Sequence, residues 1–167
     1  SCLATQVLFA DDAEVGLGQY AEFALGKKKL HIVNFHGSSV PIDKRDTPSR
    51  IRASEEMIAF MATKTGMKVI GGDFNLLPDT ESVRRFASEG YVDLIQKNNI
   101  RTTRNHLEWD RFPDKQYFAD YVFTSPDVHV RDFSVPPDIL ASDHLPLILD
   151  MKSPRQKGFF DFLGLFR

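Results

Sequence analysis

The chain has 167 residues, of which 42% are hydrophobic and 26% charged, with a formal net charge of −2. That balance fits one soluble globular domain and excludes a disordered polyelectrolyte, and no apolar run approaches the ~20 residues that span a bilayer. Near-neutral charge leaves phosphate or nucleic-acid binding to a local patch, and the single cysteine, Cys2, excludes an internal disulfide scaffold. The compartment stays open, with the cytoplasm slightly favoured. The opening Ser1-Cys-Leu-Ala-Thr-Gln-Val7 enters strand-like alternation at once and reads as the interior of a longer sequence.

Alternation predicts strands over Leu3 to Phe9, Gln19 to Leu25 and Leu30 to Phe35, the second and third forming a hairpin across Gly26 and three lysines. Thr47-Pro48 supplies an N-cap and a proline for the first turn of a helix, and Ile51, Ile58 and Met61 keep helical spacing until Gly66. Met67 to Gly71 then reads as a strand, giving the strand, helix, strand order of an α/β layer structure. A short helix is expected from an Asp79 cap to Glu89, stopped by Gly90. Lys97 to Lys115 reads as a loop of positive bias, carrying Arg101, Arg104 and Arg111 near Trp109 and Tyr117. Strands are expected over Tyr117 to Phe123, Val128 to Phe133 and Leu145 to Asp150. Residues 1–152 are read as the domain and 153–167 as an aromatic tail that packs on the domain or on a partner.

Chemistry-bearing residues gather at strand ends. Residues two apart share a face, so Asn34 pairs with His36 and Asp73 with Asn75, the latter two just after the glycines Gly71-Gly72. Asp120 stands between apolar neighbours, where a carboxylate is costly unless paired, hydrogen-bonded or metal-bound. Asp143 and His144 put an acid beside an imidazole. Taken singly, Asp73 and Asn75 read as a turn, His36 as a strand end, and Asp143 and His144 as surface polar residues. Jointly, four strand-to-loop junctions carry the acid, amide and imidazole groups that a phosphoester site requires.

In order and spacing, Asn34-Phe-His36, Gly72-Asp-Phe-Asn75, Asp120-Tyr-Val-Phe123 and Ser142-Asp-His144 resemble the later motifs of the endonuclease/exonuclease/phosphatase superfamily. The likeness extends over about residues 19 to 151, with intervening stretches most similar to uncharacterised bacterial members. It implies an α/β sandwich of four layers, two mainly antiparallel sheets faced by helices. It also implies hydrolysis of a phosphodiester or other phosphoester with Mg2+ or Mn2+. In that scheme Asp73 holds or deprotonates the attacking water and Asn75 orients it. His36, supported by Asn34, and His144, held by Asp120 or a neighbouring carboxylate, donate to the non-bridging oxygens, and Asp143 binds the metal.

Arg101 and Arg104, with Arg111, are the candidate substrate contacts, and nucleic acid is the favoured form of the phosphoester. Arg45, Arg50 and Arg52 are expected to add charge near the same mouth. The resemblance lacks the early asparagine and the metal-binding glutamate. Glu14 sits in an acidic turn and Glu22 reads as an outward-facing strand residue. The expected consequences are weak metal affinity and a sandwich incomplete at its N-terminus, either open on an apolar face or covered by a partner chain or dimer. A catalytically inactive phosphate- or partner-binding domain is the alternative reading. A two-metal phosphoesterase needs clustered histidines that five scattered ones do not supply.

Overall fold

The computed structural model describes residues 1–109 and 115–152, with Trp109 described only in its backbone, so Arg111 and the tail 153–167 lie outside the described residues. Three strands come first, β1 (Cys2–Leu8), β2 (Gly16–Leu25) and β3 (Lys28–Gly37), followed by α1 (Pro48–Ala62), β4 (Met67–Asp73) and α2 (Glu81–Ser88). The short β5 (Val92–Asp93), α3 (Leu94–Lys97) and α4 (His106–Trp109) precede β6 (Asp120–Thr124), β7 (Val130–Ser134) and β8 (Ile148–Met151). The first six strands to pair form one sheet in the order β1-β2-β3-β4-β6-β5, and β7 and β8 form a second.

The β2–β3 hairpin forms as expected, in unbroken antiparallel register from Gly16↔Gly37 to Leu25↔Lys28. α1 carries the chain back to a parallel β4, the crossover that a strand–helix–strand pattern demands. Its predicted N-cap is real, because the Thr47 hydroxyl accepts from the Arg50 amide at 3.2 Å. The α2 cap is different from the expected one. Asp79 instead pairs with Arg45 at 2.7 Å, and the first amides of α2, Glu81 and Ser82, donate to the Asp46 carboxylate at 2.7 and 3.0 Å. A cap supplied from far away in sequence leaves no local signature.

Register sorts the central sheet into two faces. Tyr20, Val33, Phe35, Ile70, Tyr121 and Phe123 share the face covered by α1 and α2. Phe74, just past β4, is the hub there, edge-on to Phe35, Phe86, Tyr121 and Phe123 at centroid distances of 5.2 to 5.7 Å. The opposite face carries Val69 and Val122, both buried, and Phe133 of β7, Leu149 of β8 and Leu147 just before β8 join the same core. Toward β1 and β2 this face opens, with Leu17 46% and Val7 54% exposed. The structure is thus the expected mixed α/β arrangement of two sheets with helices. Among the described residues it has one helical layer and a second sheet of only two strands.

Smaller differences follow from tertiary pairing. The loop expected from Lys97 to Lys115 contains α4, and its predecessor β5 pairs with the sheet edge through Val92↔Thr124 and Asp93↔Phe123. Glu22 does not face outward. The hairpin sets it on the helix face opposite His31, where its carboxylate meets Lys29 at 2.7 Å and accepts from the Tyr20 hydroxyl at 3.2 Å, far from the polar strand ends.

Candidate functional site

Ladder pairing brings three of the polar junctions into one row. His36 on β3 is the neighbour of Asp73 on β4, and Asp73 is the neighbour of Asp120 on β6, so all three side chains leave the same face at the same end of the sheet. The two flanking pairs, His36 with Asn34 and Asp73 with Asn75, keep the order read from the sequence. The row is possible because β3 and β4 run parallel while β6 runs against them: two strand ends and one strand beginning meet.

The fourth junction arrives by a separate route. Arg104 bridges His144 in an isolated antiparallel pairing, with Leu145 donating to the Thr103 carbonyl at 2.8 Å and Asn105 to the Asp143 carbonyl at 3.1 Å. His144 Nδ1 then lies 2.9 and 3.0 Å from the two oxygens of Asp120. Its other nitrogen, Nε2, is 3.8 Å from Asp73 Oδ2, and His36 Nε2 is 3.8 Å from that same oxygen. Two imidazoles therefore converge on one carboxylate oxygen. Asp143 Oδ2 is also 3.8 Å from His144 Nε2.

Backbone geometry makes the approach possible. Gly72 takes φ +131°, and a Cβ there would sit 2.1 Å from the Phe35 carbonyl, so no side chain fits between the two strand ends. Asn75 adopts φ +52°, held by its amide donating to Asp73 Oδ1 at 2.9 Å. Between them, Phe74 is locked in the aromatic core, so apolar packing anchors the backbone on which Asp73 and Asn75 make their own hydrogen bonds.

Electrostatics sets these groups apart from surface residues. Burial, and after it the charge of Asp120, holds the Asp73 carboxyl above its ordinary value. The hydrogen bond that the imidazole donates to Asp120 raises the His144 pKa against the opposing effect of burial. Burial also disfavours ionised Asp143, but its own backbone N–H, His144 and Arg104 outweigh that and leave the carboxyl below the usual range. Asp73, Asp120 and His144 each offer a ligand atom within 4.8 Å of the others, an acidic group that could hold a metal ion. Asp120 and His144 are already bound to one another, and Asp143, a further oxygen donor, lies 3.8 Å from His144 Nε2.

The other sequence candidates separate. Asn34 is exposed two residues before His36, and its side chain makes no hydrogen bond among the described residues. Arg104 is at the site but buried, its guanidinium 2.9 Å from Glu108 and 3.2 Å from Asp143, so it braces a carboxylate rather than facing solvent. Arg101 lies elsewhere, on a cleft with Asp79, Arg84, Ile95 and Phe118.

Arg45, Arg50 and Arg52 do not crown the site either. Arg50 is buried and donates to the carbonyls of Ser38, Pro41 and Arg45, while Arg45 and Arg52 pair with Asp79 and Asp12. The basic residue of that loop which does reach the site is Lys44, whose ammonium donates to Asn75 Oδ1. Lys44 carries no local motif by which the sequence could mark it. Thr103, on the loop that carries Arg101 and Arg104, supports the strand rather than a phosphate: its buried hydroxyl accepts from the Ala119 and Asp120 amides at 3.1 and 3.2 Å and fixes the start of β6.

The sequence model of the Endonuclease/Exonuclease/phosphatase family matches residues 29–144, which contain every junction of the site, and the chain belongs to that family. Solved structures with the same fold include a mannosyl-6-phosphatase of Bacteroides thetaiotaomicron VPI-5482, at 18% identity and TM-score 0.68, covering 91% of this chain and 67% of that one. The catalytic domain of human Nocturnin with bound sulfate is similar at 16% identity and TM-score 0.63, with 91% and 59% covered. Truncated TDP2 of Caenorhabditis elegans is similar at 18% identity and TM-score 0.59, with 88% and 64% covered. The chain spans about two thirds of the length of such structures, and at these identities the likeness is one of fold. No curated protein matches the sequence.

Proposed function

We propose that this site hydrolyses a phosphoester bond with the help of a divalent cation, in the protein's full natural length. The observation that carries the reading is the meeting of His36 Nε2 and His144 Nε2 at 3.8 Å from one oxygen of Asp73. Asp73, made more basic by burial and by Asp120, orients the attacking water and takes its proton. His144, whose cationic form Asp120 favours, and His36 donate to the non-bridging oxygens as charge builds on them. Asp143 and the open side of Asp73 are the groups that would hold Mg2+ or Mn2+, which supplies charge neutralisation and stabilises the leaving oxygen.

The family covers nucleases and phosphatases, and the substrate reading is narrowed by what the arginines do. With Arg104 committed to Glu108 and Asp143, and Arg101 on a separate cleft, the basic support for a nucleic-acid strand is thinner than the sequence suggests. A phosphodiester remains the favoured class. A panel of nicked DNA, sphingomyelin, inositol phosphates, a sugar phosphate and a generic diester, assayed with Mg2+, tests it. Asp73→Asn and His144→Gln should each lower turnover by ~100-fold or more, the scale of losing a transition-state contact. Normal turnover in both variants would remove the mechanism, and preference for the sugar phosphate would replace the diester reading.

A further inference from the structure

Lys44 is a residue out of place for a surface loop. It is 6% exposed, and its backbone takes φ +55°, a conformation that costs a non-glycine residue unless its surroundings impose it. Here they do: its carbonyl accepts from the Leu77 amide at 2.9 Å, and the loop around it is tied down by the buried Arg50 and by Gln116 donating to the Ile42 carbonyl at 2.7 Å. Burying an ammonium is expensive without partners, and this one lies among the charges of Asp73, Glu108 and Asp120, with Arg104 opposing it.

Among the described residues, the ammonium donates one hydrogen bond, to the side-chain oxygen of Asn75. The Asn75 nitrogen donates to the Gly37 carbonyl at 3.0 Å and to Asp73 Oδ2 at 3.3 Å. An ammonium can only donate, and a carbonyl or carboxylate can only accept, so all three partners demand the same orientation of the amide. Without the ammonium, the Gly37 and Asp73 oxygens would still call for the nitrogen, but Oδ1 would be a buried acceptor with nothing to bind. The amide would then gain by turning toward any other donor, and Asp73 would lose a fixed neighbour at the oxygen where both imidazoles converge.

We infer that Lys44 is a positioning residue of this site, acting through Asn75 to fix the Asp73 carboxylate. This rests on the phosphoesterase reading for its effect on rate, but not for its effect on the amide. Lys44→Met, which keeps the length of the side chain, should lower kcat on the best substrate of the panel by about 10- to 100-fold with KM changed less than about threefold, as for a misplaced reacting group. In an Asn75→Ala background the same substitution should cost less than about threefold, because the partner it acts through is gone. Equal losses in the two backgrounds, or full turnover in Lys44→Met, would overturn the inference.

Side-chain amide resonances of Asn75 in 15N-labelled protein give a second readout that needs no turnover. They should move on Lys44→Met while the backbone spectrum stays dispersed, and an unmoved amide pair would overturn the inference as well. If no phosphoester is hydrolysed by the unmodified protein, the function proposed above has failed, and the amide spectrum alone still decides the role of Lys44.

Discussion

The two faces of the central sheet are built on different principles. The helix-covered face is a continuous aromatic and aliphatic layer in which Phe74, Phe86, Tyr121 and Phe123 are wholly or almost wholly buried and Phe86 stacks on Phe123 at 4.3 Å. The opposite face carries the polar row of His36, Asp73 and Asp120 at one end and opens onto Val7 and Leu17 at its flank. One face holds the strands in place; the other uses the positions so fixed. Phe74 joins the two, since its ring belongs to the first face while its neighbours Asp73 and Asn75 belong to the second.

That contrast breaks first if the aromatic face is not the source of stability. Phe123→Ala should cost about 3–5 kcal/mol in urea unfolding, the range for emptying a large buried aromatic site. His144→Gln, on the other face, should change stability by less than about 1 kcal/mol while removing most turnover. A stability loss for His144→Gln equal to that for Phe123→Ala would show that the polar row is structural.

A smaller effect sharpens the link between the loops that carry Lys44 and α2. Asp46 is held below its ordinary value because its hydrogen bonds from Ser82 and Glu81 outweigh the burial that opposes ionisation. A carboxyl depressed in the folded state stabilises above its unfolded value, and this contribution disappears as pH falls through the folded one. Asp46→Ala should therefore cost about 1 kcal/mol near neutrality, typical of a lost helix cap, and the difference from the unmodified protein should shrink in acid. A pH-independent difference would mean that the cap acts by shape alone.

Smallest is the expected effect at the open flank. Val7→Thr, on an exposed position of β1, should move stability by no more than about 0.5 kcal/mol, as for surface changes that touch nothing. A larger loss would show that another chain or another segment covers this flank in solution.

Much of this was legible in the chain itself. Alternation and turn residues located β2, β3 and β4, though each runs two or three residues further than expected at one end or both, and Thr47-Pro48 marked α1 with its cap, because these signals are local: a side chain's face and a backbone's allowed angles depend on immediate neighbours. The four polar motifs, in their order, were enough to point to the family. Only the tertiary structure decided which groups meet. That His144 binds Asp120, that Asp46 caps a distant helix, that Arg104 is spent on Asp143, and that Lys44 rather than its arginine neighbours reaches Asn75 are all contacts between residues far apart in sequence. Such contacts follow from the parallel pairing of β3 with β4 and the reversal at β6, and pairing between distant strands leaves no trace in any short stretch of sequence.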